Sequence, residues 1–153
     1  MTRTVVVTRT LNAPVEDVYA SIADSDRLAT LPGVKVQILR EGGESRDGVG
    51  MQRRVALPGA FLIEEIVGLE PPVRFDYLIR DATVKFGHEY GRITFTPDGQ
   101  RTRVVWTSRF RAPAGPFTRV AEAAVAAGSA VAFNSALILI ERTIRSTARK
   151  ART

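Results

Sequence analysis

The sequence contains no cysteine, one histidine, one tryptophan and two methionines among its 153 residues. Each shortage removes a class of chemistry. Without cysteine there is no disulfide scaffold, no thiol nucleophile and no zinc site with thiolate ligands. A lone histidine, His88, rules out a multi-histidine metal cluster. A Gly-x-Ser-x-Gly elbow and a His-Glu-x-x-His pair are both missing. Gly42-Gly43 and Gly48-Val49-Gly50 follow no strand-to-helix turn of the kind that cradles phosphate. The expectation is no metal and no nucleotide cofactor, with any chemistry left to arginine, carboxylate and tyrosine groups and the single imidazole.

Long apolar runs are almost absent too. Residues 123–140 carry no charge over 18 positions, the length at which a membrane span comes into question. About half of that stretch is Ala, Gly or Ser, it contains Asn134, and Glu122, Glu141 and Arg142 lie at its ends. A buried helix explains this composition more simply, so no membrane span is expected. The N-terminus, Met1-Thr2-Arg3-Thr4-Val5-Val6-Val7, has no long apolar run and no small-residue cleavage site, which argues against a secretory signal. A cytoplasmic location is the corresponding expectation.

Positive charge is present but uneven. The formal net charge is +6, and arginine supplies 19 of the 22 basic residues. Arg142, Arg145, Arg149, Lys150 and Arg152 face only Glu141, a local +4 that leaves about +2 for the rest. These cations close a helix, where they complement the negative end of its dipole, and no aromatic residue is interleaved with them. No specific nucleic-acid partner is expected.

One domain over residues 1–148, with a basic tail at 149–153, suits this length. Residues 4–11 are rich in β-branched types and predict a strand. Pro14 sits at a helix start, with Glu16 and Asp17 in the first turn, and a second short helix covers 24–30 before Leu31-Pro32-Gly33. The period then changes to two. Strands are predicted at 34–41, 48–57, 61–70, 73–81, 86–97 and 101–111, separated by Pro- and Gly-rich turns short enough for antiparallel hairpins. Ala112-Pro113-Ala114-Gly115-Pro116 ends the sheet, and a helix runs from Phe117 to near Thr147. This order predicts an α+β protein: a seven-stranded antiparallel sheet wrapped round a long C-terminal helix, with a gap between them.

The chain resembles the START-like, helix-grip superfamily (SRPBCC), in particular its bacterial polyketide cyclase/dehydrase and lipid-transport branch. The resemblance rests on Asn12-Ala13-Pro14-Val15-Glu16-Asp17-Val18-Tyr19 after the opening strand and on Ile66-Val67-Gly68-Leu69-Glu70-Pro71-Pro72-Val73-Arg74-Phe75-Asp76-Tyr77. Gly91-Arg92-Ile93-Thr94-Phe95-Thr96-Pro97, Thr102-Arg103-Val104-Val105-Trp106 and the long helix complete it in order. These segments record strand, turn and packing geometry and include no catalytic signature. The resemblance implies a cavity that takes a hydrophobic small molecule: a lipid, a polyketide, or an aromatic or sterol-like compound. An aromatase/cyclase-type enzyme and a co-chaperone-like interaction module are the alternatives within the same superfamily.

Candidate site residues follow from strand alternation. If the hairpin across Pro58-Gly59 pairs Leu57 with Phe61, Arg53 falls opposite Glu65 on a face shared with Met51 and Ile63. A one-residue shift would instead turn Arg54 and Glu64 inward. Phe75 and Tyr77 share one strand face, and Trp106 lies on the inner face of the last strand with Val104, Ser108 and Phe110. Tyr and Trp present a polar tip on an apolar body, which suits a cavity wall. Arg53, Glu65, Tyr77 and His88 are the candidates for chemistry. The apolar pair Ile93 and Phe95 marks the odd-numbered face of the His88 strand as core, putting His88 outside unless a bulge near Gly87 or Gly91 intervenes. Phe133 and Asn134 sit mid-helix, and a buried amide needs a partner: ligand, backbone or a second subunit. The row Ala124, Gly128, Ala132 and Ala136 permits close approach of another backbone, which makes a homodimer through this helix an expectation to test.

Overall fold

The computed structural model describes residues 2–111 and 115–153. The expected sheet breaker at 112–116 falls partly on residues 112–114, outside the described residues. Strand β1 (Thr2–Leu11) leads into helices α1 (Val15–Ala23) and α2 (Ser25–Leu28). The meander β2 (Lys35–Arg40), β3 (Gln52–Leu57), β4 (Ala60–Glu70), β5 (Arg74–Ala82), β6 (Gly87–Asp98) and β7 (Arg101–Arg111) follows, and helix α3 (Thr118–Ala151) closes the chain. The sheet is seven-stranded and antiparallel in the order β1-β7-β6-β5-β4-β3-β2. Consecutive strands pair with their neighbours because their links are too short for anything but hairpins. β1, separated in sequence by the helical segment, adds alongside β7.

Three boundaries differ from expectation for physical reasons. Residues 48–51 do not join β3 but form turns closed by Gly48 N–H to Ser45 O and Met51 N–H to Gly48 O. Pro14 is the extended residue before α1 rather than its first helical one, its carbonyl accepting from Val18 N–H. The helix also runs through Ala151, so most of the supposed basic tail is its last turn, with Arg149 and Lys150 against the negative dipole end.

The core lies between the concave face of the sheet and the helices, built on Leu11, Val18, Ile66, Phe75, Ile93, Phe95, Val104 and Phe110. α3 contributes Ala126, Leu137, Ile140 and Ile144 and packs on β1 and α1. The uncharged run predicts a buried helix; in the structure only one stripe is covered, while Val120 and Val131 remain 68% and 67% exposed. By length and composition α3 suffices to cross a membrane, with a mean hydropathy of 1.9 over an 18-residue window. Ala124 and Gly128 of its small-residue row face outward, whereas Ala132 and Ala136 reach the cavity described next.

Candidate functional site

Where α3 departs from the sheet, it leaves an apolar cavity of about 330 Å³ between its middle and strands β3 to β7. Leu28, Leu31 and Val34 wall one end, and Ala132, Phe133, Ala136 and Leu139 of α3 form the roof. A second depression, between α1, α2 and the end of α3, has a larger volume of about 840 Å³. It is rimmed by Asp17, Arg27, Arg142 and Lys150, so its lining is charged where that of the first cavity is apolar. The apolar cavity beneath the middle of α3 is therefore the candidate site.

Its polar wall begins in the β3–β4 hairpin. Pro58 and Gly59 make a tight turn, with Gly59 at φ +79°, a region open to glycine. That turn pairs Leu57 with Ala60, not with Phe61, and every pair above it follows: Arg53 stands opposite Glu64. The expected register was one residue off on β4 but not on β3. Arg53 therefore points inward as expected, while the inward acid is Glu64. Glu65 and Ile63 turn to the other face of the sheet. There Glu65 accepts from Gln52 Nε2 at 2.8 Å, Arg80 Nη2 at 2.8 Å and Arg40 Nη2 at 2.9 Å. These hydrogen bonds, Gln52 first, hold its carboxyl down at about 2. A bulge between Ile66 and Gly68 then restores Leu69 to the inner side.

The Arg53 side chain has no exposed surface. Its Nε donates to Glu64 Oε1 at 2.6 Å, Nη1 to Ser25 Oγ at 3.0 Å and Nη2 to the Ile22 carbonyl at 2.7 Å. The guanidinium also lies 5.6 Å from the centre of the Phe75 ring. It borders the cavity, but its side chain is fully enclosed by these partners. Glu64, 10% exposed at its side chain, is the member of the pair that shows an edge to the cavity. Met51 is likewise removed from the wall: it is fully buried beneath Ser25, whose hydroxyl contacts its sulfur at 3.6 Å.

On neighbouring strands of the same sheet face, Tyr77 and Trp106 continue this wall. Trp106 Nε1 donates to the Tyr77 hydroxyl at 2.7 Å, and the Trp106 ring stacks on Phe133 at 4.3 Å with 7° between planes. The Tyr77 ring lies over Gly91, its partner in the β5–β6 register. A Cβ at Gly91 would fall 2.5 Å from Tyr77 Cζ, so glycine is required for the ring to sit there. Gly91→Ala is expected to cost about 1–3 kcal/mol, as overpacked cores do. Urea unfolding measures that cost, and the emission of Trp106, the only tryptophan, reports the displaced hydroxyl.

His88 stacks behind Tyr77, ring centres 5.3 Å apart. Alternation alone placed it outside unless a bulge near Gly87 or Gly91 intervened; a bulge between His88 and Tyr90 does so and turns it inward, leaving Gly91, Ile93 and Phe95 in the core. His88 Nδ1 accepts the Ile79 N–H at 3.0 Å, which places its proton on Nε2, 3.1 Å from Ser108 Oγ. Burial pushes its pKa down to about 4, so the ring is neutral at neutral pH. Burial also pushes the Tyr77 hydroxyl up, against the hydrogen bonds from Trp106 and Ser108, so it stays protonated. His88 thus orients the Ser108–Tyr77 pair from behind and is not on the cavity wall.

Asn134 does not reach the cavity. Its Nδ2 donates to the Ala130 carbonyl at 3.0 Å and its Oδ1 lies 3.5 Å from Arg9 Nη1, so the backbone supplies the partner a buried amide needs. Among the described residues no group of three or more His, Asp or Glu is placed to hold a metal ion. Sequence reasoning reached Glu64 only through a shifted register and passed over Ser25, Ser108 and Gly91 as site residues. Of these three, Ser108 alone carried a usable signal, since it shares the inner face of β7 with Trp106.

A family model described as polyketide cyclase/dehydrase and lipid transport matches residues 2–137. No curated protein matches the chain. Among solved structures, Zhui aromatase/cyclase from Streptomyces sp. R1128 is 25% identical, with a TM-score of 0.69 over 96% of this chain and 98% of that one. TTHA0849 from Thermus thermophilus is 22% identical, TM-score 0.72, covering 95% and 99%. Norcoclaurine synthase from Thalictrum flavum, in complex with dopamine and hydroxybenzaldehyde, is 16% identical, TM-score 0.68, covering 95% and 88%. The last two likenesses establish the helix-grip fold alone.

Proposed function

Because the chain belongs to the polyketide cyclase/dehydrase and lipid transport family, whose members bind hydrophobic ligands or act as cyclases, we propose that it binds a lipid, polyketide or aromatic or sterol-like molecule in the cavity beneath α3. The observation that carries this reading is a cavity of about 330 Å³, apolar except for Ser135 on α3 and one wall of Arg53, Glu64, Tyr77 and Trp106. Small-molecule sites have this composition, and the volume is at the lower end of their range of about 300–1,000 Å³. Apolar walls supply affinity through desolvation, and the few polar groups orient the ligand. Native mass spectrometry and displacement of a lipophilic dye test the proposal; an interior that takes up no ligand sinks it.

Filling the void separates binding from folding. Ala136 lies on the α3 roof and is only partly buried, so Ala136→Phe projects a ring into open space. The expected result is binding weakened by about tenfold or more, with thermal stability held or raised, since burying a phenyl group contributes about 1.5–3 kcal/mol. Trp106 emission reads binding directly.

An aromatase/cyclase-type reaction is the second reading, favoured by the convergence of the Arg53–Glu64 pair and Tyr77 on a single cavity. Tyr77 would polarise a carbonyl and Glu64 accept a proton, with the apolar walls folding the chain. Incubation with a reactive poly-β-ketone and analysis of ring products tests it. A product mixture equal to the spontaneous one excludes catalysis.

A further inference from the structure

We infer that the cavity selects neutral ligands bearing a hydroxyl or enol oxygen at the Glu64–Tyr77 wall, and that it rejects carboxylates. The inference rests on the binding reading above and narrows its ligand class.

Among the described residues the wall holds one cation, and that cation is already committed. Arg53 donates to Glu64, Ser25 and the Ile22 carbonyl and has no accessible side-chain surface. A ligand carboxylate would therefore meet the Glu64 carboxylate without a free guanidinium to balance it. Like charges beside an apolar lining repel, and an anion left unpaired there is costly. An ammonium ligand fares no better, because Arg53 already neutralises Glu64 and a second cation would leave the site with an unbalanced positive charge.

A neutral hydroxyl meets the opposite situation. Glu64, as a carboxylate, only accepts hydrogen bonds. Tyr77 has its oxygen held by Trp106 Nε1 at 2.7 Å from the sheet side, with the Ser108 hydroxyl beside it. The proton of Tyr77 is then the donor turned toward the ligand. One hydroxyl oxygen can donate to Glu64 and accept from Tyr77, satisfying both. His88 is a positioning residue here: its bond from Ile79 N–H fixes the proton on Nε2, toward Ser108, which sets the hydroxyl network from behind.

The test compares two compounds of the same carbon skeleton, 2-naphthylmethanol and 2-naphthoate, by calorimetry at about pH 7.5. The alcohol is expected to bind at least about tenfold more tightly, the ratio that one hydrogen bond gained or lost provides. Since any apolar cavity disfavours an anion, the decisive arm is Glu64→Gln, which keeps an acceptor for Arg53 Nε but leaves the guanidinium's charge unbalanced. In this variant the preference is expected to reverse, and 2-naphthoate is expected to raise its melting temperature more than the alcohol does. The melting shift remains readable where the variant is only marginally folded. Tyr77→Phe should weaken the alcohol about tenfold, as the loss of the hydrogen bond it accepts requires. Naphthoate binding to the wild type as tightly as the alcohol, or an unchanged preference in Glu64→Gln, overturns the charge selection alone. Failure of both compounds, and of the lipophilic dye, to bind the wild type overturns the binding reading itself.

Discussion

Replacing Glu64 with alanine is expected to lower the free energy of unfolding by about 3–5 kcal/mol, the cost of stranding one partner of a buried ion pair. Arg53 has no exposed side-chain surface and would keep its charge without a counterion. A domain of this size is stable by about 5–15 kcal/mol, so the variant approaches the edge of folding. Urea titration measures the loss, and the melting temperature should fall by roughly 10 °C. The double variant Arg53→Met with Glu64→Leu should recover most of that loss, because well-packed apolar side chains commonly match a buried pair. Recovery will be incomplete. The Ile22 carbonyl and Ser25 hydroxyl each lose a donor, and an unsatisfied buried polar group costs about 1–3 kcal/mol. If Glu64→Ala proves as stable as the wild type, the pair is solvated rather than buried.

Acidification from about pH 7.5 to about pH 5 is expected to remove about 2 kcal/mol through His88. The imidazole has a pKa near 6.5 when unfolded and about 4 when folded, because burial disfavours its charged form. The unfolded chain therefore binds the proton first. Stability is fully present above pH 6.5 and is lost as the pH falls toward 4. Protonation would also place a hydrogen on Nδ1, facing the Ile79 N–H it now accepts, so the bonding pattern adds to the penalty. Glu65, held down at about 2, loses its contribution only below its ordinary value of 4.5, which leaves the window between 6.5 and 4.5 to the imidazole. His88→Asn keeps an acceptor near the Ile79 amide but cannot titrate. Urea midpoints measured across that window should slope for the wild type and flatten for the variant; equal slopes would mean that His88 is solvated.

Much of the architecture was legible because it depends on local signals. β-branched alternation, Pro-Gly turns and a long apolar helix specify element type and order, and short links leave antiparallel pairing as the only arrangement. Phe75, Tyr77, Trp106 and Phe133 reach the cavity because each sits on a face that alternation or helical spacing already marked. The polar site was less legible. Glu65 and Glu64 are adjacent, and a single residue in the Pro58-Gly59 turn decides which of them meets Arg53. His88 changes sides through one bulge. Asn134 is an amide in an apolar run, but the nearby Ala130 carbonyl takes it before any ligand can.

The lack of cysteine and near-lack of histidine, read from the sequence alone, already removed thiol chemistry and any multi-histidine metal cluster. The order of elements along the chain and the covering helix were equally determined by composition and period, since burial of one sheet face tolerates many packings. Only the tertiary structure decided which acid enters the cavity, that Arg53 is spent on it, and that a buried neutral imidazole stands behind Tyr77. The physical reason is the two-residue period of a strand: an error of one residue in register or one bulge leaves the fold intact yet exchanges the inner and outer side chains.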